Sequence, residues 1–558
     1  MISFDRSKHR NLFNGDCTFL FFGTEIYNPG GGPYTAKVFH DFVDLLADSG
    51  VDTFVINPNA QHPWYPSKRT PHVLTHYKRG DRDFFRGHYP PFDKDWTPEM
   101  LEKRLDQDVK FLNRYQDLAD AGVIWIDEIS KACRRRGVSP WTSVRMNDMH
   151  GGNSWEKSYM NCELQKNPKY RLRGQQINLR DSTSRWLTPM NFEHKEVRDF
   201  FFTMMAELVE DHDFDGLELD WFRQPFCCEP PASKKTIEMM TVWMKDIRAM
   251  TQARAKKIGK PFALGVRSCV RLGTLLDVGL DLKTWAREGL IDFVGPTNGW
   301  QTSWDVPYDE LRRELGDSIT IYGMIEDAPN WMFALEPKSE KKSYRLLSTS
   351  AEFLRGNAAS KLALGADGIE TFNFFCSDEV HHNPVAGTQI LRANYPALRG
   401  LEKLENLRGK PKQYALASMH GYWQFQPFEY AEQVPAILEP DWHRAFRLSM
   451  CAEPAKANLE LIIQLIVAKK GKLPDLGVSF NGCWPNFDAK QTDALLFPTG
   501  IYTHHIPEHT AFNYRFDASL IKDRWNEIVV YNGNHQRATP EERQANSVCI
   551  VSVELALR

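Results

Sequence analysis

The 558-residue chain has no apolar run near the roughly 18 residues that a membrane-crossing helix needs. Its ten cysteines form no C-x-x-C pair and no metal-type spacing. They are too few for a disulfide scaffold in so long a chain, so reduced thiols are expected, including the adjacent Cys227 and Cys228. Charge of one sign is missing too. With 69 Lys and Arg against 72 Asp and Glu, the formal net charge is −3, which gives no electrostatic case for nucleic acid as a partner. The run Arg134-Arg135-Arg136 reads as a solvated helix face. No G-x-G-x-x-G follows the first strand, and "NPGGGPY" (28–34) lacks the Lys-Ser/Thr of a phosphate loop, so no cofactor is implied. The opening segment "MISFDRSKHRNLFNGD" has no signal-type apolar core, so the chain reads as cytoplasmic as written, and as periplasmic or secreted if a leader preceded it.

What is present is alternation. Short apolar runs at 17–23, 51–58, 138–148, 214–223, 262–268, 291–297, 318–326 and 366–375 predict strands. Amphipathic segments at 35–50, 98–116, 125–137, 195–212, 234–257, 281–289, 308–315 and 343–364 predict the helices between and after them. Eight such units favour a (β/α)8 TIM barrel over a doubly wound open sheet. The barrel is expected over 1–405, with long insertions at 59–97 and 149–190 that fold over its mouth. Residues 406–558 change character to short alternating runs split by Gly, Asn and Pro, which predicts an antiparallel β-sandwich, jelly-roll-like, as an accessory domain.

Barrel enzymes carry their chemistry at the C-terminal ends of strands, and strand side chains alternate, so each end can be phased. In "FDGLELDWFR" (214–223) Leu217 and Leu219 must face the helices, which turns Glu218 and Asp220 inward, Asp220 at the rim. The same phasing turns Glu326, Arg145, Asn147 and Arg267 inward. A purely structural barrel would fill these positions with Val, Ile or Leu. Asp220 on strand four and Glu326 on strand seven lie across the barrel from each other, as two carboxylates flanking a glycosidic bond would. Glu218, Arg145, Asn147, Arg223 and Arg267 are expected to support them. The substrate wall is expected from Asn57, His62, Trp64, His150, Trp155, Trp221, Asn298, Trp300, Trp304, Trp331 and Asn373. Ordinary packing is the plain alternative for each Trp. The rim arginines, with Arg180 and Arg271, fit an anionic sugar, or pairing with the site's own acids.

The stretch 187–225, "LTPMNFEHKEVRDFFFTMMAELVEDHDFDGLELDWFRQP", resembles the glycosyl-hydrolase-like family ten barrels through Leu187, Pro189, Val197, Arg198, Asp213, Asp215, Gly216, Leu219, Asp220 and Arg223. "SVRMNDMH" (143–150) and "GLDLKTWAREGLIDFV" (279–294) are similar to the same family. The resemblance implies a glycosidase-type barrel over about residues 15–400 and a carbohydrate substrate. A clan-A layout would make Asp220 the acid and Glu326 the nucleophile. Leu-Asp stands where that clan has Asn-Glu, so an amylase-like arrangement with Asp220 as nucleophile stays open. Two other readings are a non-catalytic carbohydrate-binding barrel, and a lyase or metal-dependent carbohydrate enzyme using "MNDMH" (146–150) with His62 and His381-His382. Homo-oligomerisation is left open.

Overall fold

The computed structural model describes the chain apart from residues 1–3, 23–25, 90–96, 152–155, 174–188, 223, 299–301, 327–349, 375–392, 418–432, 469–474, 487–489, 493, 495, 497–508, 534–538 and 542–545. Eight parallel strands close on themselves in chain order: β1 (Asn11–Gly15), β2 (Thr53–Ile56), β3 (Ser139–Arg145), β4 (Gly216–Asp220), β5 (Ala263–Ser268), β6 (Phe293–Pro296), β7 (Thr320–Glu326) and β8 (Gly368–Phe372). The expected barrel is therefore present. Leu217, Leu219, Leu264, Val266, Ile321 and Ile325 are buried, as alternation toward the helices requires.

The first strand is corrected. The segment 17–23 was expected to form it, but β1 lies earlier, and Phe19–Phe21 forms a single 3-10 turn. Asn11 and Asn14 hide β1 by breaking its apolar run. Asn11 donates to the carbonyls of Gly50 and Leu398, and Asn14 points into the barrel.

Aromatic rings close the bottom of the barrel. Trp141 stacks on Phe293 at 5.0 Å, Phe293 meets Tyr322 at 5.5 Å, and His9 lies 4.9 Å from Trp141. Gly265 makes this possible, since a Cβ there would sit 2.4 Å from the Phe293 ring. With the base filled, only the strand C-terminal ends can admit a ligand.

The first insertion does not stay over the mouth. Tyr65 and Ser67 donate to the carboxylate of Glu207, near the end of the helix Lys195–Glu210, so this stretch clothes the barrel's flank. Farther on, it meets the second insertion, with Phe85 on Tyr159 at 4.9 Å and His88 Nδ1 2.7 Å from Ser158 Oγ.

Two antiparallel sheets follow. One joins β9 (Lys412–Ala417), β10 (Ala436–Leu438), β12 (Glu460–Val467), β14 (Lys490–Thr492), β15 (Thr510–Asp517) and β17 (Val548–Leu557). The other joins β11 (His443–Met450), β13 (Leu476–Phe480) and β16 (Arg524–Asn532). Together they form the expected β-sandwich. It docks on barrel helices: Trp525 Nε1 donates to Asp309 at 3.0 Å, and Ser449 Oγ donates to the carbonyl of Ser360 at 2.8 Å. At Gly356, in the helix Ala351–Ala363, a Cβ would fall 1.8 Å from the backbone oxygen of Gln413 in β9. A backbone contact cannot yield as a side chain does. Gly356→Ala is therefore expected to cost at least about 1–3 kcal/mol by overpacking, read as a lower melting temperature by calorimetry.

Candidate active site

Register sets the site. Arg145, Asp220 and Arg267 lie side by side at the ends of β3, β4 and β5, and Ser143, Glu218 and Gly265 form the row beneath. All of these are buried.

Asp220 is held by three donors. Arg267 Nη2 donates at 2.5 Å and Arg267 Nε at 3.1 Å, while the backbone N–H of Phe222 donates at 3.0 Å. The guanidinium lies beside two rings that meet edge-on at 5.6 Å, 5.5 Å from the Phe222 centroid and 5.1 Å from that of Phe372. The two-pronged contact of this planar fork with Asp220 is a geometry that Lys could not reproduce. Burial disfavours the Arg267 cation, yet Asp220 and Glu218 raise its affinity for the proton above the ordinary value.

Arg145 is taken up differently. Its guanidinium meets Asp16 at 2.5 Å and Asp148 at 3.1 Å. His150 Nδ1 lies 2.7 Å from Asp148 Oδ1. Burial pushes the Asp148 carboxyl up, but His150 and Arg145 outweigh it and hold it well below the usual carboxylate range. Arg145 and Arg267 thus serve the site's own acids, the alternative to an anionic substrate.

Glu326 ends β7 and is buried. Asn373, just past β8, donates to its Oε1 at 2.6 Å from a left-handed backbone with φ +50°. Thr302 fixes the strand end, accepting from the Glu326 N–H and donating to its carbonyl, both at 2.8 Å.

Several expected wall residues are corrected. Trp64 is core: its ring packs edge-on to Tyr115 and Phe111, and its carbonyl accepts from Trp125 Nε1. Trp221 is wholly buried against Phe192 at 4.9 Å, as strict alternation requires of the residue after an inward Asp220. Trp304 packs against Phe353 at 5.0 Å. Apolar rings with adjacent helices to cover them take the interior over the cleft. Asn147 is a clip rather than a supporting acid-site residue: its side chain donates to the carbonyls of Met190 and Phe226 and accepts from the Met190 N–H. Asn57 donates to the carbonyl of Ser143, tying β2 to β3, and Asn298 donates to Ser303 Oγ at 3.2 Å. His62 is buried, and burial pushes its pKa down to about 3. His150 keeps about half of its side chain exposed. Trp155, Arg180, Arg223, Trp300, Trp331, His381 and His382 lie outside the described residues, and Arg271 is exposed at a helix start.

Glu370 and Asn14 went unnoticed in the sequence. Asn14 Nδ2 donates to Glu218 Oε1 at 3.0 Å and to Glu370 Oε1 at 2.9 Å, and Ser143 Oγ donates to Glu218 Oε1 at 2.7 Å. Phasing "GIETF" (368–372) as the other strands were phased turns Glu370 inward opposite Ile369, a signal already in the sequence. Among the described residues no three His, Cys, Asp or Glu side chains converge on a possible metal position, and no helix is long and apolar enough to cross a membrane.

No protein-family model matches the chain, so the family-ten resemblance gains no support there, and no curated protein matches it. Solved structures similar to it include an alpha-L-fucosidase from Vibrio sp. strain EJY3, at 10% identity and TM-score 0.34 over 99% of this chain and 97% of that one. A maltogenic alpha-amylase from Thermotoga neapolitana gives 9% identity and TM-score 0.36 over 95% of this chain and 100% of that one. Alpha-L-fucosidase isoenzyme 2 from Paenibacillus thiaminolyticus gives 12% and 0.36 over 72% and 49%. At scores this low, those activities remain those proteins' own.

Two outcomes follow from the packing. Arg267→Met should cost about 3–5 kcal/mol by stranding a buried carboxylate; the double variant with Asp220→Asn should recover part of this in urea unfolding, as coupled neighbours do. Trp221→Phe should lower the melting temperature by an amount worth about 1–2 kcal/mol and leave pH profiles unmoved.

Proposed function

We propose that the chain is a glycoside hydrolase working through Asp220 and Glu326, with Asp220 as nucleophile. One observation carries this reading: a wholly buried carboxylate at the C-terminal end of β4, clamped through two N–H groups by a guanidinium. Donors of that kind complement an anion. A fixed anion can attack an anomeric carbon and stabilise the oxocarbenium-like charge that develops there. Glu326, three strands away around the barrel, then protonates the leaving oxygen and afterwards activates water. Asn373 holds one of its oxygens and so orients the other. This order of roles is the amylase-like one, and it reverses the clan-A assignment. It implies retention of anomeric configuration.

We further propose that residues 1–405 form the catalytic unit and 406–558 an accessory unit, that the substrate is a carbohydrate of short chain length, and that the enzyme removes terminal residues.

A panel of aryl glycosides and oligosaccharides tests the reading, with products followed by proton NMR. Asp220→Asn and Glu326→Gln should each lower kcat by several orders of magnitude with the fold intact. Small anions such as azide should restore turnover of activated substrates to Asp220→Gly and yield the inverted glycosyl azide. Near-wild-type turnover in Asp220→Asn would remove it from the reaction, and first-formed product of inverted configuration from the wild type would exclude it as nucleophile.

A further inference from the structure

Beneath the Asp220–Arg267 pair lie two more acids. Glu218 and Glu370 come from β4 and β8, and both are wholly buried. One amide nitrogen, Asn14 Nδ2, donates to both, at 3.0 and 2.9 Å. Among the described residues the second oxygen of each, Oε2, has no hydrogen-bond partner. That of Glu370 faces an apolar wall: a Cβ built on Gly295 would lie 3.4 Å from it and 2.8 Å from Met324 Sδ.

The charged groups facing this pair are few. Asp220 stands one layer above on β4, and Arg267 reaches in from β5; Asn14 on β1 and Ser143 on β3 are neutral. The buried phenols Tyr308 and Tyr322 also sense Glu370, and burial keeps both protonated. Among the described residues the cation bonded to this group of carboxylates is Arg267, which gives two bonds to Asp220 while standing 4.0 Å from Glu218. With every acid ionised, the interior would hold two uncompensated negative charges, an arrangement that burial opposes strongly.

We propose that Glu218 and Glu370 jointly hold a proton at neutral pH, and that this buried acid pair positions Arg267 on Asp220. With the proton in place, Glu218 competes weakly for the guanidinium and the clamp on Asp220 stays closed. When the proton leaves, the new anion draws Arg267 downward from 4.0 Å and loosens the clamp. The proton belongs to the pair rather than to either residue. Burial, followed by the charge of Asp220, outweighs Arg267 and pushes Glu218 up to about 7; burial and Glu218 push Glu370 well above the ordinary glutamate value. A carboxyl raised on folding contributes stability at low pH that is lost as pH rises, for Glu218 between about 4.5 and about 7.

The pair's protonation can be read without any substrate. In protein labelled at the glutamate side-chain carboxyl carbons with 13C, the wild type should show a carboxylic C=O infrared band at pH 6 that disappears by pH 9. Glu labelling separates it from the buried aspartates. The band should be lost or displaced in Glu370→Gln and in Glu218→Gln. The 13C NMR titration of the wild type should show a glutamate signal with its midpoint far above the ordinary value, which keeps the test decisive if a variant fails to fold. Absence of both signals in the wild type would overturn the proposal, and so would a band unchanged in both variants. The positioning role rests on the glycosidase reading. There, Glu218→Gln, which fixes in the neutral state the acid that stands 4.0 Å from Arg267, should move the alkaline limb of kcat/KM upward by about one pH unit or more. An unmoved limb with the infrared band present would sink the positioning role and leave the proton site standing; absence of glycosidase activity would leave the spectroscopic result intact.

Discussion

Among the described residues one guanidinium, that of Arg267, stands against three buried carboxylates, Asp220, Glu218 and Glu370, and much of the upper interior follows from that shortage. Arg267 gives two bonds to Asp220 and packs beside Phe222 and Phe372, which leaves it 4.0 Å from Glu218. Glu218 and Glu370 fall back on neutral donors, Asn14 and Ser143. Buried charge of this kind is a poor source of stability compared with apolar packing. The stability must come from elsewhere, and the outward faces of the strands and the aromatic plug at the base, Trp141, Phe293 and Tyr322, are where it is found. The molecule is thus divided by height, with a dry, well-packed lower half and a polar upper half that is held in place by it.

The sequence was most readable where period-two alternation coincides with full burial. Leu217 and Leu219 could only face helices, so the inward direction of Glu218 and Asp220 followed, and the same logic served Arg145, Arg267 and Glu326. It failed at β1, where inward Asn14 and basal Asn11 make a core strand look like a loop, and the neighbouring aromatic run at 17–23 drew the assignment instead. The tryptophans misled for another reason. Position after a strand end says where a chain emerges, but not what waits to cover the ring, which is Phe192 for Trp221 and Phe353 of the helix Ala351–Ala363 for Trp304. Partnership was the least legible property. Nothing local to Arg145 tells that Asp16 will meet it, because that contact arises only when the ends of β1 and β3 are brought together at one end of the barrel.

The C-terminal sheets meet the barrel on the helices that follow β6 and β7, and the contact at Gly356 is backbone against backbone. Lys412, at the start of β9, pairs at 2.7 Å with the buried carboxylate of Glu453, just past the end of β11. An interface that joins main chains so closely transmits position rather than merely covering apolar surface. The strand-seven end bearing Glu326 is connected to that helix through Thr302 and the loop in which Ser303 accepts from Lys361.

Asn147 ties two separate loops with one side-chain amide. Its three bonds reach Met190, at the end of the loop after β3, and Phe226, in the loop after β4. Those loops leave the barrel on either side of the acid-bearing rim, yet they cannot shift independently, because a displacement of either breaks a buried bond held by the other. They amount to a single mechanical part with two sequence origins. Changes of length or composition in one would re-aim the other, so in the descent of such a protein the two loops would be expected to change together, and a graft of either alone onto a related barrel would arrive without its counterpart.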